Sequence, residues 1–179
     1  MTTASTRNSY ERTRRQDHVI DSLMRDLASR DGSVRQRARR KLVILGNAAA
    51  PALAKGLEAR SSQVRWESAK ALLDIADPRA AHALISSLED DDAGTRWIAA
   101  EALIALGLDA LVPLLRRLVD QADSLYVCEG AHHVLHELAV GPWRKILYPV
   151  LTALEGSAPE DVVPVVAGEA LEELKAAGD

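Results

Sequence analysis

The residue types best suited to chemistry are one cysteine and two histidines in the C-terminal half of the chain. Cys128, His132 and His136 are spaced four residues apart, so a helix would place them on one side. Thiolate and imidazole are ligands for zinc and other borderline-soft metals. A helix rotates by about 40° between successive members of such a series, so one ion would need a further ligand from another element. These residues keep a metal or small-ligand site open as an alternative, and we predict no bound cofactor.

No set of residues typical of catalysis stands out in the sequence. Paired carboxylates, a nucleophile elbow and a glycine-rich phosphate loop are absent from the contexts in which they act. The acidic run from Glu89 to Asp92 lacks the ligand spacing and the terminal Glu of a calcium loop, so we interpret it as a helix-capping segment. The sequence therefore predicts a protein that is not an enzyme.

The elements that would position these side chains repeat along the chain. Four similar segments begin at Val34, Val64, Thr95 and Tyr126, at intervals of 30, 31 and 31 residues. A constant period of this length is typical of stacked helical repeats. One column of the alignment is small, and another, four residues later, is aliphatic. The small column is Ala38, Ser68, Ala99 and Gly130, and the aliphatic column is Leu42, Leu72, Leu103 and Val134.

The repeated pattern V-R-x-x-A-A-x-A-L-x-x-L-G resembles the short bacterial HEAT repeat. An Asp or Ser precedes it by three residues in each copy, at Asp31, Ser61, Asp92 and Asp123. The resemblance covers residues 17–175. It implies an all-α fold, a right-handed α-solenoid of about five antiparallel helix pairs, whose second helices line the concave side.

The sequence predicts one solenoid domain over residues 17–179, preceded by a flexible basic tail over residues 1–16 that becomes helical near Tyr10. Hydrophobic residues make up 47% of the chain and aromatic residues 3%, which suits closely packed helices. Terminal repeats are expected to be atypical because one face meets water. The predicted pairs are 17–29 with 33–45, 48–58 with 62–75, 78–88 with 93–106, 109–119 with 124–140, and 143–155 with 159–175.

Charge is distributed unevenly along the chain. The net charge is −4, with +7 over residues 1–60 and −11 over the rest. The acidic majority argues against nucleic-acid binding, since phosphate contacts dominate that affinity. A basic end and an acidic end could orient a partner, or a second copy head to tail. A single cysteine, no apolar run long enough for a membrane span and no signal peptide predict a cytoplasmic protein without membrane contact.

An arginine recurs at the second position of the repeat, in Arg35, Arg65 and Arg96. We interpret this column as a ladder of hydrogen bonds and ion pairs between repeats. The fourth copy has Val127 in this column, where the ladder should be weakest.

The columns that follow the arginine lie off the apolar seam, on the flank that the resemblance places along the concave side. Two tryptophans in adjacent copies would form an aromatic surface, and tryptophan is enriched at binding hot spots. In the other interpretation each indole simply packs against the neighbouring repeat. His133 is expected to pack against the previous repeat. The three columns are Gln36, Trp66, Trp97 and Cys128; Arg40, Lys70, Glu101 and His132; and Ile44, Asp74, Ala105 and His136.

We therefore predict a scaffold or adaptor that binds a protein partner. The predicted partner-binding residues are Gln36, Arg40, Trp66, Lys70, Trp97, Glu101, Cys128 and His132. The alternative is a small-ligand or metal-binding protein, for a tetrapyrrole or zinc, that uses Cys128, His132 and His136.

Three HEAT-like families bear on that alternative. The deoxyhypusine hydroxylases carry repeated His-Glu pairs, and the one such pair here, His136-Glu137, lies in a different column. HEAT-like DNA glycosylases need a positive face, which the acidic second half opposes. The phycobilin lyase repeats are more similar, but no tetrapyrrole site can be identified.

Overall fold

The computed structural model describes the backbone of residues 3–178 and the side chains of residues 11–177, and every regular element in this part is helical. Short 3-10 turns lie at Gly46–Ala48, Pro78–Ala80 and Ser87–Glu89. The helices are α1 (Thr3–Asp26), α2 (Gly32–Leu45), α3 (Ala50–Gly56), α4 (Ser62–Ile75), α5 (Ala81–Ser86), α6 (Ala93–Leu106), α7 (Leu108–Asp120), α8 (Leu125–Leu138), α9 (Trp143–Leu154) and α10 (Pro159–Gly178).

The helices stack in two layers, as the predicted solenoid requires. α1, α3, α5 and α7 contact one another in sequence and form the layer of first helices. α2, α4, α6 and α8 do the same and form the layer of second helices. Each second helix also packs against its own first helix, so the chain is an all-α solenoid of helical hairpins. No helix within residues 3–178 is long and apolar enough to cross a membrane.

The second helices α2 and α6 begin after residues whose side chains cap the first turn. The side chain of Asp31 accepts a hydrogen bond from the Ser33 amide at 2.7 Å, and that of Asp92 accepts one from the Thr95 amide at 2.8 Å. Such caps satisfy amides that have no partner within the helix. The capping role predicted for the acidic run is thus confirmed at Asp92.

The fourth repeat is shifted by one residue relative to the sequence alignment. The α8 N-cap is Ser124, whose hydroxyl accepts a hydrogen bond from the Val127 amide. The loop before α8 is therefore one residue longer, and Val127 corresponds to Val34, Val64 and Thr95. In this register the small column ends in Ala131 and the aliphatic column in Leu135, both fully buried.

The last pair exchanges its layers. α9 packs against α8, in the layer of second helices, whereas α10 packs against α7, in the layer of first helices. The predicted boundaries of this pair are nearly those observed, but the order within the pair is inverted. The chain turns at Gly141, whose φ of 57° favours glycine, and this turn directs α9 onto α8.

The N-terminal segment is helical from Thr3, whereas the sequence predicted a tail without regular structure before Tyr10. The residues of this segment with described side chains, Glu11 to Arg15, are exposed. Arg, Glu and Gln favour helix even where no apolar stripe buries one face, so the helix extends beyond its packed part. The flexibility of residues 1–16 remains a prediction, and residues 1 and 2 lie outside the described range.

Candidate partner-binding face

Each recurring arginine forms a hydrogen bond within its own helical hairpin. Its guanidinium donates to the carbonyl oxygen six residues earlier in the chain. The distances are 2.8 Å from Arg35 to Ser29, 3.0 Å from Arg65 to Ala59 and 2.8 Å from Arg96 to Asp90. In the shifted register Cys128 takes this column, and its thiol donates to the Ala122 carbonyl at 3.4 Å. The column therefore satisfies carbonyls in the turn that precedes each second helix.

At the first junction, between α2 and α4, the arginine also pairs with a buried carboxylate. Glu67 is 3% exposed and accepts from Nε of Arg35 at 3.2 Å, from Arg39 and from the Gln63 amide. The guanidinium groups of Arg35 and Arg39 both bind the Glu67 carboxylate, and this pairing offsets the cost of burying its charge. The buried carboxylate of the first junction is thus paired within the protein.

At the second junction, between α4 and α6, the carboxylates come from the loop before α6. Arg65 donates from Nε and Nη2 to the two oxygens of Asp90 at 2.6 and 2.9 Å, and also to Asp91. Burial acts to raise the pKa of Asp90, but the bonds from Arg65 and the Asp92 amide outweigh it, so this pKa lies below its usual value. The Asp90 hydrogen bond correspondingly raises the pKa of Arg65.

At the third junction, between α6 and α8, the arginine has no acidic partner. The Arg96 guanidinium lies 4.1 Å from the centroid of the Tyr126 ring, a cation–π distance. No carboxylate among residues 11–177 forms an ion pair with it. The predicted contacts between repeats are therefore arginine–carboxylate ion pairs at the first two junctions. At the third junction the contact is a cation–π interaction between Arg96 and Tyr126.

The two tryptophans occupy equivalent positions of α4 and α6, and their place on the concave side remains a prediction. Trp66 is partly buried, with Nζ of Lys70 4.6 Å and the Arg39 guanidinium 5.9 Å from its ring. Trp97 is 58% exposed. Its ring stacks on His133 with centroids 4.9 Å apart, and His133 Nε2 is 2.9 Å from Glu101 Oε1. Both indoles contact the adjacent repeat and still present surface to solvent.

Three pockets follow one another along this face, lined in turn by residues of α4, α6 and α8. The first, beside Trp66, Glu67 and Gly94, has a volume of about 440 Å³. The second, beside Trp97 and Tyr126, has a volume of about 250 Å³. A third of about 520 Å³ lies between α8 and α9. The row follows the repeats, so one extended partner would meet all three.

The predicted partner-binding residues fall into two groups. Gln36 and Arg40 are exposed on α2, while Lys70 and Glu101 are partly buried beside the two tryptophans. The remaining pair, Cys128 and His132, was assigned through the misaligned register. In the structure Glu129 and His133 hold the equivalent positions.

The three candidate metal ligands on α8 do not meet at one point. Cys128 is 7% exposed and engaged with the Ala122 carbonyl, and burial raises the pKa of its thiol. A protonated thiol is a poor ligand. His132 Nε2 lies 2.9 Å from Oε1 of Glu155, the residue after α9, and the rings of His132 and His136 stack with centroids 6.2 Å apart. Within residues 11–177, no group of three His, Cys, Asp or Glu side chains is arranged to hold a metal.

Sequence reasoning missed Tyr126, Glu129 and the pairing of His133. The signal that could have found them is Ser124, which suits an N-cap as well as the Asp123 used in the alignment does. With Ser124 as the cap, Val127 joins the apolar column and His133 joins the column of Lys70 and Glu101.

Stacked hairpins with one shared face define a repeat-based all-α solenoid. The chain belongs to the HEAT-repeat family, because the family model for HEAT repeats matches residues 17–104 and 50–136, which span more than half of the chain. No curated protein matches the sequence significantly.

Two solved structures are similar in fold. The complex of CpcE and CpcF of phycocyanin lyase from Nostoc sp. PCC7120 contains a chain with a TM-score of 0.58 and 24% identity, and the match covers 86% of this chain and 98% of that chain. An engineered protein has a TM-score of 0.47 and 22% identity over 84% of this chain and 77% of its own. At these identities the first likeness supports the fold alone.

Proposed function

We propose that this protein is an interaction module that binds a protein partner along the face of its second helices. The observation that carries the proposal is the aromatic surface of Trp66 and Trp97, which occupy one column of adjacent repeats beside a row of pockets. Trp97 is 58% exposed although apolar side chains of its size are usually buried. Large aromatic side chains next to pockets are typical anchors of protein interfaces.

The surroundings of the tryptophans hold them in place before a partner arrives. Lys70 and Arg39 lie over the Trp66 ring, and Trp97 stacks on His133, which is paired with Glu101. Side chains that are already ordered lose less conformational entropy on binding. The phycocyanin lyase chain of similar fold was solved in a complex with another protein, which agrees with a binding role for this fold.

The test is capture of partners from the source organism by the purified protein. Replacing both Trp66→Ala and Trp97→Ala should abolish capture while the far-ultraviolet circular dichroism stays helical. Tyr148→Ala is the matched control, because Tyr148 is an aromatic residue that is 62% exposed on α9 and lines none of the three pockets. Retained capture by the double variant would refute the proposed site.

A small ligand in the pocket between α8 and α9 is the second candidate. Its volume of about 520 Å³ falls within the roughly 300–1,000 Å³ of small-molecule sites, and Cys128 and His132 contribute to its lining. Elemental analysis and an absorption spectrum of the purified protein test this candidate. A protein with neither metal nor chromophore would leave zinc and a tetrapyrrole without support.

The charge distribution favours a second copy of the chain as a partner, bound head to tail. α2 carries five basic and no acidic residues, whereas α10 carries five acidic residues and one lysine. Both helices also expose aliphatic side chains, with Ile44 82% exposed on α2 and Val165 60% exposed on α10. Analytical ultracentrifugation should show an association that 0.5 M salt and Ile44→Ser each weaken, and a salt-independent monomer would contradict it.

A further inference from the structure

The third junction lacks a carboxylate at both positions where the earlier junctions have one. Glu67, the partner of Arg35, is the sixth residue of α4, and its counterpart in α8 is Gly130. Asp90, the partner of Arg65, lies two residues before the Asp92 cap, and its counterpart before Ser124 is Ala122. The arginine column continues into the third repeat, but the acidic partners stop.

A pocket of about 250 Å³ lies beside Arg96 at this junction. Its walls are the rings of Trp97, Tyr126 and His133, the side chain of Leu88, and the backbone of Gly130. A Cβ atom at Gly130 would lie 2.9 Å from Cδ2 of Leu88, so the absence of a side chain there lets Leu88 pack directly against α8 in the pocket wall. The pocket is thus apolar and aromatic, with one guanidinium at its edge.

That guanidinium keeps part of its hydrogen-bonding capacity unused. Nη1 of Arg96 donates to the Asp90 carbonyl, and the Tyr126 ring supports one face of the group. Its Nε and Nη2 form no hydrogen bond with any residue among 11–177, whereas the same atoms of Arg65 both bond to Asp90. The exposed Glu129 also lines the pocket, so Arg96 is not the only charge there.

We propose that the pocket binds an acidic residue with an adjacent apolar side chain from a peptide segment of the protein partner. The ligand carboxylate pairs with Arg96, as Glu67 and Asp90 pair with the earlier arginines, and the apolar side chain packs between Trp97 and Tyr126. The volume of about 250 Å³ lies below that of most small-molecule sites and suits a single side chain. This inference rests on the proposed function and specifies the chemistry of its partner.

The test uses two capped tetrapeptides that differ in charge alone, acetyl-Gly-Leu-Glu-Gly-amide and acetyl-Gly-Leu-Gln-Gly-amide. Each is titrated into the full-length ¹⁵N-labelled protein while the indole resonance of Trp97 and the amide resonance of Gly130 are followed. The Glu peptide should shift both resonances, and the Gln peptide should bind about tenfold more weakly, since a hydrogen bond to a charged group contributes about 1.5–3 kcal/mol.

Two variants assign that difference to Arg96 and to the missing acid. Arg96→Gln should reduce binding of the Glu peptide about tenfold, while Arg116→Gln, which removes an exposed arginine on α7, should leave it unchanged. Gly130→Glu places a carboxylate where Glu67 stands in the second repeat and should abolish binding even if Arg96→Gln unfolds. Gly130→Gln displaces Leu88 equally but carries no charge, so it should weaken binding less and separates the effect of the charge from the effect on packing. Glu129→Gln should strengthen binding of the Glu peptide, because it removes a like charge from the pocket.

Equal binding of the two peptides, or a Glu preference that survives Arg96→Gln and Gly130→Glu, would overturn the inference. Binding of 3-phenylpropionate at the same resonances without binding of the Glu peptide would also overturn it, because the ligand would then be a free carboxylic acid. Partner capture that still depends on Trp97 in either case would leave the proposed function standing, so the two failures can be told apart.

Discussion

The first and third junctions use equivalent positions of the repeat for opposite purposes. At the first, Arg35 and Arg39 converge on Glu67, and their charges are satisfied inside the protein. At the third, Arg96 rests on Tyr126 beside an open pocket, and no carboxylate pairs with it among residues 11–177. The difference shows how a repeat array divides its tasks. The closed junctions pair their arginines with carboxylates of the protein, and the open junction leaves its arginine without one, as the proposed binding site requires.

The largest effect should follow from breaking the closed first junction. Glu67→Gln leaves two guanidinium groups without their buried partner and should lower the free energy of unfolding by about 2–3 kcal/mol. Glu101→Gln at the third junction is the matched control, since its partner is a half-exposed histidine, and about 0.5 kcal/mol is expected. Urea denaturation measures both. Equal losses would mean that the two junctions do not differ in stability.

Packing should show the same contrast between the two halves of the molecule. Gly56 is the last residue of α3, where this helix packs on α4. A Cβ at this position would lie 2.8 Å from Cε of Met24 and would contact the Ser68 hydroxyl. Gly56→Ala should therefore destabilise the protein by about 2 kcal/mol. Gly168→Ala in α10 meets no atom within 4 Å and should stabilise it by up to about 1 kcal/mol. Thermal unfolding followed by circular dichroism compares them, and two shifts of the same sign would contradict the expectation.

The contribution of the second junction to the stability of the protein should depend on pH. The pKa of Asp90 lies below the usual 3.8, so its contribution to stability is present above about pH 4 and is lost as the pH falls through the lower folded-state value. Asp90→Asn should cost about 1.5 kcal/mol at pH 7 and should flatten the fall in stability between pH 4 and pH 2. Asp74→Asn, an exposed aspartate on α4, is the control and should change neither quantity. A variant with an unchanged acid profile would show that the Arg65 pair does not set it.

The smallest effect concerns the small column of the repeats. Ser68 is fully buried, and its hydroxyl has no hydrogen-bond partner, whereas the other described members of the column are Ala38, Ala99 and Ala131. Ser68→Ala should raise the free energy of unfolding by about 1 kcal/mol, and Ala99→Ser should lower it by a similar amount. Guanidinium denaturation of both variants tests this symmetry. Destabilisation by Ser68→Ala would show that the hydroxyl has a partner after all.

Much of the architecture could be predicted because it depends on local spacing. The columns of Leu42, Leu72 and Leu103 and the shared side of Trp66 and Trp97 follow from helical periodicity within each repeat. Helix caps such as Asp92 and Gly46 are recognisable for the same reason, since capping involves residues only two to five apart.

The errors arose where one residue or one turn changes the relation between elements. A single extra residue before Ser124 moved Cys128 from the predicted face into the arginine column, where its thiol caps a turn. The layer exchange of α9 and α10 depends on how the chain leaves the turn at Gly141, which helical periodicity does not encode. The open pocket at Arg96 depends on which acidic side chains are missing across the junction, and this can be seen only once the register is correct.

The engaged thiol of Cys128 has a practical consequence for measuring motion. It is the sole cysteine of the chain, so a thiol-specific reagent can label the protein at one place only. Labelling of the native protein should be slow, because Cys128 is 7% exposed, its thiol is bonded to the Ala122 carbonyl, and burial raises its pKa. The labelling rate relative to that of the unfolded chain therefore reports how strongly the wall of the pocket between α8 and α9 protects this thiol, without any engineered probe.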